Sequence, residues 1–191
     1  MLVRRWQPGH SFRLPAYLDA NVLVGYVASS HHLYKSCDGV VGELLVAGAP
    51  ILVSMISLQE AWWAMFRESY RAINRQKPGT RFSRSLYHRW RAATFENHGD
   101  WIDSVAQAVH DWQGAGHPVD VVPDSKTFTP AMTSTAIRYM RDLDFTPDDA
   151  LHLALAEAHA GTFVTADSDF KRAEGASPSN LEILHLAGTS T

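Results

Sequence analysis

The stretch FTPDDALHLALAEAHAGTFVTADSDF, residues 145–170, decides the fold that the sequence predicts. Its first half has a helical pattern that begins after Thr146, and its second half contains the short β-branched run TFVT, which Ala166 and then Asp167 follow. A helix that leads into a parallel strand runs antiparallel to it, so the start of the helix and the end of the strand lie at the same edge of the sheet. We therefore expect Asp149, in the first turn of this helix, to lie near Asp167.

Short apolar runs alternate with helical patterns along the rest of the 191 residues. The predicted strands are AYL at 16–18, ILVS at 51–54, VDVV at 119–122, TFVT at 162–165 and LEILHL at 181–186. The predicted helices are residues 32–47, 57–76, 83–97, 100–113, 130–141 and 147–159. This alternation is typical of βαβ units and predicts an α/β fold: a single domain over residues 1–191 with a central, mainly parallel sheet flanked by helices.

Two more acidic residues are predicted to lie at the same edge of the sheet. Asp19 directly follows the strand AYL, and Glu60 falls in the first turn of the helix after ILVS. Ligands bind at the carboxyl ends of the strands in open parallel sheets. The sequence therefore predicts that four acids from distant segments converge on one site.

Each acid also has a structural interpretation. Thr146 and Asp149 have the spacing of a capping box, with Pro147 at the first helical position, and acids in a first turn interact favourably with the helix dipole. Asp169 is placed to cap a short helix, and Asp148 to be a solvated first-turn acid. The coincidence of four acids on one edge favours a site over four separate caps.

A cluster of unpaired carboxylates needs raised pKa values, waters or a cation, because two of them about 4 Å apart repel by about 4 kcal/mol at an effective dielectric constant near 20. A divalent metal ion resolves this repulsion most directly. The sequence has one cysteine, Cys37, and no evident histidine partner for the acids. His152 and His159 are two helical turns apart, too far for one ion, and are predicted to be surface or core residues. Oxygen ligands favour Mg²⁺ or Mn²⁺, ions that can orient a phosphodiester and activate water.

Composition limits the remaining classes of function. The formal net charge of −3 excludes a uniformly basic nucleic-acid coat, and the lone cysteine favours a reducing, intracellular setting. No apolar segment is long enough for a membrane span, and no glycine-rich nucleotide fingerprint is present. We expect a soluble, cytoplasmic protein with no membrane partner.

The segments YLDANVLV, SLQE, DDALHLALA and VTADSDF, in that order, resemble the successive acidic motifs of PIN-domain proteins. The resemblance implies a PIN-like domain with metal-dependent ribonuclease activity, in which Mg²⁺ or Mn²⁺ is the cofactor. It places four residues at the catalytic and metal-binding acidic positions of the family, namely Asp19, Glu60, Asp149 and Asp167, with Asp169 as a fifth acid. Asp19 and Asp167 would bind the ion directly, and Asn21 and Thr165 match supporting polar positions.

Many small members of this family are VapC-type toxins of type II toxin–antitoxin pairs. The resemblance thus implies an RNA substrate and is compatible with two protein partners, a cognate antitoxin and a second copy of the chain in a homodimer, although the sequence does not define the oligomeric state. Two alternatives stay open, a PIN nuclease of RNA processing without an antitoxin and a non-catalytic PIN module that binds RNA or protein.

The chain is longer than the compact members of the family between Glu60 and Asp149, and we assign the extra residues to a helical, basic insertion at about 67–115. Arg67, Arg71 and Arg75 are predicted to bind RNA, since Glu60, Arg67 and Arg71 share one helix face. Aromatic residues interleave with the cations and suit the stacking of unpaired bases. The alternatives are a solvated charged face and a groove for the antitoxin.

Overall fold

Six strands and six α-helices make up the computed structural model, which describes residues 1–74, 83–122, 129–177 and 179–187. The strands are β1 (Leu2–Arg5), β2 (Ala16–Leu18), β3 (Ile51–Ser54), β4 (Val119–Val122), β5 (Thr162–Thr165) and β6 (Glu182–His185). The helices are α1 (Ala20–Val27), α2 (Tyr34–Val46), α3 (Met55–Asn74), α4 (Arg84–Gly114), α5 (Pro130–Leu143) and α6 (Pro147–His159), with a short 3₁₀ helix at Ser168–Ala173.

The strands form one parallel sheet in the order β1-β6-β5-β2-β3-β4. After β2 the chain moves outward through β3 to β4, and it then returns to the other side of β2 to form β5. The order of the strands therefore reverses at β2, and the connections that leave the carboxyl ends of β2 and β5 diverge. Such a switch point opens a crevice at the edge of a parallel sheet, where α/β proteins bind ligands.

Both faces of the sheet are covered, because successive side chains of a strand point to opposite faces. Ala16 and Leu18 pack with residues of α1, α2, α3 and α4, whereas Tyr17 packs with residues of α5, α6 and the 3₁₀ helix. All three residues of β2 are 0% exposed. The central strand is thus held rigidly between two helical layers, which fixes the position of Asp19 at its end.

The structure confirms the α/β fold class and all five predicted strands, and it adds two elements that the sequence prediction lacks. β1 lies in the lead-in where no strand is predicted, and it pairs with β6 at the edge of the sheet. α1 forms from the valine-rich run ANVLVGYV, whose low intrinsic helix propensity is offset by the Asp19 cap. The two helices predicted at 83–97 and 100–113 correspond to the two halves of α4, which meet at a kink where His98 departs from helical geometry (φ −139°, ψ 20°).

The predicted insertion at about 67–115 corresponds to the second half of α3 and α4, which pack against each other. Residues 75–82, which include Arg75, lie outside the described part of the chain. In the described part, no helix combines the length and the apolarity that a membrane span requires.

Candidate metal centre

Asp19 lies at the carboxyl end of β2, where it is the N-cap of α1 and only 3% exposed. Its Oδ1 accepts a hydrogen bond from the backbone N–H of Ala20 at 2.7 Å. Its Oδ2 accepts from Asn21 Nδ2 at 2.6 Å and from Thr165 Oγ1 at 2.5 Å. Burial raises the pKa of the Asp19 carboxyl above its ordinary value, although these donors oppose the shift. The side chain is therefore a fixed, desolvated acid.

Asn21 and Thr165 connect the ends of β2 and β5, in keeping with the supporting role predicted for them. Asn21 Oδ1 accepts from the backbone N–H of Ala166 at 2.8 Å, and Thr165 Oγ1 accepts from that of Asp167 at 3.0 Å. Asp167 in turn caps the 3₁₀ helix that follows β5. The two polar residues thus hold Asp19 and Asp167 in a defined relative position.

Glu60 lies in α3, which begins at Met55, so it occupies the second turn of the helix and not the first turn that the sequence predicts. The helix starts earlier because Met55 and Ile56 continue directly from β3 without a loop. Since the helix dipole acts within the first turn, it does not account for an acid at this position. Glu60 Oε2 instead lies 3.0 Å from His152 Nε2.

Asp149 combines the capping interaction with a place at the site. Thr146 Oγ1 accepts from the backbone N–H of Asp149 at 3.3 Å, and the Thr146 hydroxyl donates to Asp149 Oδ2 at 2.6 Å. The capping interpretation is confirmed, and the cap holds the Asp149 carboxylate at the start of α6. The structural and functional interpretations of this residue are therefore compatible.

The four predicted acids, Asp19, Glu60, Asp149 and Asp167, line one cleft of about 430 Å³ at the switch point of the sheet. Other lining residues are Ala20, Asn21, Val24, His31, Trp63, Ala64, Arg67 and Asp148. Among the described residues, no lysine or arginine forms an ion pair with Asp19, Asp149 or Asp167. The cleft thus concentrates carboxylates that lack paired cations within the described structure.

Asp169, the predicted fifth acid, is not among the described residues that line the cleft. Its carboxylate forms an ion pair with Arg172 at 3.1 Å, and its side chain is 57% exposed. It resembles an ordinary surface acid more than a member of the cluster.

The predicted RNA-binding arginines differ in their surroundings. Arg67 lines the cleft together with Glu60, which lies two turns earlier in α3. Arg71 forms an ion pair with Glu68 on the same helix. Arg75 lies outside the described residues.

His152 is the residue of the site that the sequence reasoning missed. It is 1% exposed, and its Nδ1 lies 2.6 Å from Tyr17 Oη. One ligand atom from each of Asp19, Glu60 and His152 lies within 4.8 Å of the other two. His152 follows Asp149 by three residues and so shares its helix face, which is the signal that could have identified it.

The electrostatics of His152 reflect its acidic neighbours. Burial lowers the pKa of the imidazole, but the hydrogen bond to Glu60 and the negative charge of Asp19 outweigh burial, so the net shift is upward. The acidic neighbours thus favour the positively charged form of the His152 ring.

The donor set fits a divalent ion: several carboxylates without paired arginine or lysine, with one imidazole nitrogen among them. The sequence prediction considered oxygen ligands alone, and the fold also brings His152 from α6 against Glu60 from α3. Asp19, Glu60, Asp149 and Asp167 are the residues that could hold the ion, together with this nitrogen.

Comparisons with known proteins agree with this architecture. The chain is similar in fold to the crystal structure of VapBC2 from Rickettsia felis bound to a DNA fragment from their promoter, with a TM-score of 0.52 and 16% sequence identity. The alignment covers 89% of this chain and 97% of that chain. Among proteins with curated descriptions, none matches the sequence. The sequence model of the PIN domain matches residues 16–176, which span β2, the four acids of the cleft and His152, and the chain accordingly belongs to the PIN-domain family.

Proposed function

We propose that this protein is a divalent-metal-dependent endoribonuclease that hydrolyses RNA phosphodiester bonds, and that it is the toxin of a type II toxin–antitoxin pair. The convergence of Asp19, Glu60, Asp149 and Asp167 on one cleft carries the proposal. Membership of the PIN-domain family supports it, as does the resemblance of the segments that carry these acids to the acidic motifs of that family.

Within the proposed centre, Asp19 and Asp167 hold the ion directly, and Glu60 and Asp149 complete its inner or outer shell. A bound Mg²⁺ or Mn²⁺ would supply Lewis-acid activation and neutralise charge on the phosphodiester. The chain itself supplies orientation: the hydrogen bonds of Asp19 with Asn21 and Thr165 keep its carboxylate from rotating. Such preorganisation reduces the reorganisation that the site must undergo during reaction.

The surroundings of the cleft support RNA as the substrate. Arg67 provides a positive charge at its wall for a phosphate of the strand. Trp63, which is 40% exposed, also lines a neighbouring cavity of about 590 Å³ with Tyr87 and His88. Aromatic faces beside a phosphate site suit an unpaired base, because bases stack on aromatic side chains.

The likeness to VapBC2 and the resemblance to VapC-type toxins support an antitoxin as partner. A second copy of the chain, in a homodimer, is the further partner that we propose. RNA cleavage by such a toxin would take place in the cytoplasm.

A cleavage assay tests the proposed activity. Purified protein, freed of metal with EDTA, is incubated with labelled single-stranded RNA and then with Mg²⁺ or Mn²⁺. We expect cleavage only after metal addition, and none by Asp19→Asn. Cleavage that persists in EDTA, or that Asp19→Asn retains at the wild-type rate, would reject this centre. RNA binding without cleavage at any metal concentration would favour the non-catalytic module instead.

A further inference from the structure

A chain of buried hydroxyl groups lies behind His152. Tyr17 Oη is 2.6 Å from His152 Nδ1 and 2.7 Å from Ser54 Oγ, and Ser54 Oγ is 2.9 Å from Ser57 Oγ. All four residues are at most 1% exposed. Buried hydroxyl groups at these distances are joined by hydrogen bonds, so each contact must be filled by one proton.

The direction of these hydrogen bonds follows from the last group in the chain. The Ser57 hydroxyl donates to the backbone carbonyl of Leu18 at 3.1 Å, and a carbonyl can only accept. Its proton is thereby used, so the Ser54 hydroxyl must donate to Ser57. The Tyr17 hydroxyl must then donate to Ser54, which leaves its oxygen to accept a proton from His152 Nδ1.

This order determines the tautomer of His152. With the proton on Nδ1, the lone pair of the neutral ring is on Nε2, which faces Glu60 Oε2 at 3.0 Å. Nε2 and Oε2 would each direct a lone pair at the other and would repel at this distance. A positive charge is needed between them, either a second proton on the ring or a metal ion. Adjacent ligands of an octahedral ion with bonds of about 2.1 Å are about 3 Å apart. The separation of these two atoms therefore fits two ligands of one ion.

We propose that His152 Nε2 is a nitrogen ligand of the divalent ion, beside Asp19 and Glu60, and that Tyr17 is a positioning residue that keeps the ring in the tautomer this ligand needs. The inference rests on the metal centre of the proposed function. A nitrogen ligand favours a transition-metal ion over Mg²⁺, which prefers oxygen ligands and loses its water reluctantly. Carboxylates alone would accept either Mg²⁺ or Mn²⁺. The nitrogen ligand thus shifts the preference of the site toward Mn²⁺.

Mn²⁺ is the probe for the nitrogen ligand, because its unpaired electrons report the nuclei of directly bound atoms. Electron spin-echo modulation of the Mn²⁺-loaded protein is expected to show coupling to ¹⁴N that disappears in His152→Gln. Replacing all histidine nitrogen with ¹⁵N should remove the ¹⁴N coupling and introduce coupling to ¹⁵N. Titrations are expected to show that the preference for Mn²⁺ over Mg²⁺ is larger in the wild type than in His152→Gln.

Tyr17→Phe tests the positioning role, since it removes the acceptor of the Nδ1 proton and leaves the ring in place. Loss of an outer hydrogen bond to a ligand histidine lowers metal affinity by about 10–100-fold. Tyr139→Phe is the matched control, because Tyr139 is also buried but its hydroxyl donates to Glu157, away from the cleft. If Tyr17→Phe fails to fold by circular dichroism, Ser54→Ala interrupts the same chain with a smaller change in volume.

Three results would overturn the proposal in whole or in part. If Mn²⁺ binds at a site that Asp19→Asn abolishes but shows no nitrogen coupling, His152 only pairs with Glu60, and the proposed nuclease centre stands without it. If no binding depends on Asp19, the centre itself is rejected together with this ligand. Equal losses of affinity in Tyr17→Phe and Tyr139→Phe would remove the positioning role of Tyr17.

Discussion

Thr165 Oγ1 donates a 2.5 Å hydrogen bond to Asp19 Oδ2, although 146 residues separate the two along the chain. The contact exists because β2 and β5 are neighbours in the sheet, with Leu18 aligned to Val164. It holds a buried carboxylate at the point where the order of the strands reverses. The chemistry that we propose depends on this junction.

Asp167→Asn should abolish most RNA cleavage while Asp169→Asn leaves it near the wild-type rate. Asp167 lines the cleft, whereas Asp169 pairs with Arg172 at the surface. Loss of about 3 kcal/mol of metal-dependent stabilisation corresponds to a rate on the order of 100-fold lower. Initial rates with saturating metal, measured on variants with unchanged circular dichroism, compare the two. Equal rates for both variants would contradict the assignment of Asp167.

Divalent metal should raise the melting temperature of the wild type, and far less that of Asp19→Asn. An ion that binds only the folded cluster stabilises it by mass action, by about 2.7 kcal/mol at a concentration 100 times the dissociation constant. A thermal-shift titration with Mn²⁺ measures the effect, and Ca²⁺-free buffer with EDTA gives the baseline. Parallel shifts in the two proteins would mean that the ion binds elsewhere.

The stability of metal-free Asp19→Asn relative to the wild type should increase from pH 4 to pH 6. Burial raises the pKa of Asp19 in the folded state above its ordinary value of 3.8. The folded protein therefore keeps a proton that the unfolded chain loses, and ionisation of Asp19 destabilises the wild type as the pH rises from 3.8. Asparagine does not ionise, so this loss is absent in the variant.

Melting temperatures measured at several pH values on both proteins check this sign. His152 stays protonated in the unfolded chain over most of this range, which limits its contribution to the difference. Asp169→Asn, a substitution at an exposed site outside the cleft, provides the control for the loss of one carboxylate. If the melting temperature of Asp19→Asn instead falls relative to that of the wild type as the pH rises, the raised pKa of Asp19 is contradicted.

Arg67→Ala should weaken RNA binding and reduce its dependence on salt, whereas Arg71→Ala should change both much less. The two residues are one turn apart on α3, but Arg67 lines the cleft and Arg71 forms an ion pair with Glu68. One lost phosphate contact lowers the slope of log K against log salt by about 0.7 for a single strand. Fluorescence anisotropy over a range of salt concentrations gives both slopes. Unchanged RNA binding with lost antitoxin binding would assign Arg67 to the antitoxin groove.

Gly25→Ala should destabilise the protein through a clash between α1 and α2. A Cβ at this position would lie 2.4 Å from Cys37 Sγ. Overpacking of this kind costs about 1–3 kcal/mol, more than the roughly 1 kcal/mol that alanine gains over glycine in a helix. Denaturant unfolding measures the free energy of each variant.

Two further variants separate the clash from the helix propensity. Gly42→Ala, on α2, meets nothing within 4 Å and should be neutral or stabilising. In the background of Cys37→Ala, which removes the sulfur, Gly25→Ala should cost less than in the wild type. Additive effects of the two substitutions would show that the contact with Cys37 is not the cause.

Local pattern in the sequence determined the strands and the positions of the acids. The runs AYL, ILVS, VDVV and TFVT are short and mainly apolar, the last three are rich in β-branched residues, and each is a strand in the structure. Asp19 and Asp167 were predictable because they lie within two residues of the end of such runs. The cap formed by Thr146 was predictable for the same reason, since capping depends on a few adjacent residues.

Only the tertiary structure shows which of these acids lie close together and which further residues contact them. His152 lies within the apolar run ALHLALA and has the local pattern of a core residue, yet the packing of α6 against α3 brings it to Glu60. β1 forms because β6 offers it a parallel edge, and α1 forms because Asp19 caps a run that otherwise favours a strand. Local periodicity encodes the type of an element, but the neighbours of a strand or helix depend on contacts between distant segments, whose free energy appears only when the whole sheet is assembled.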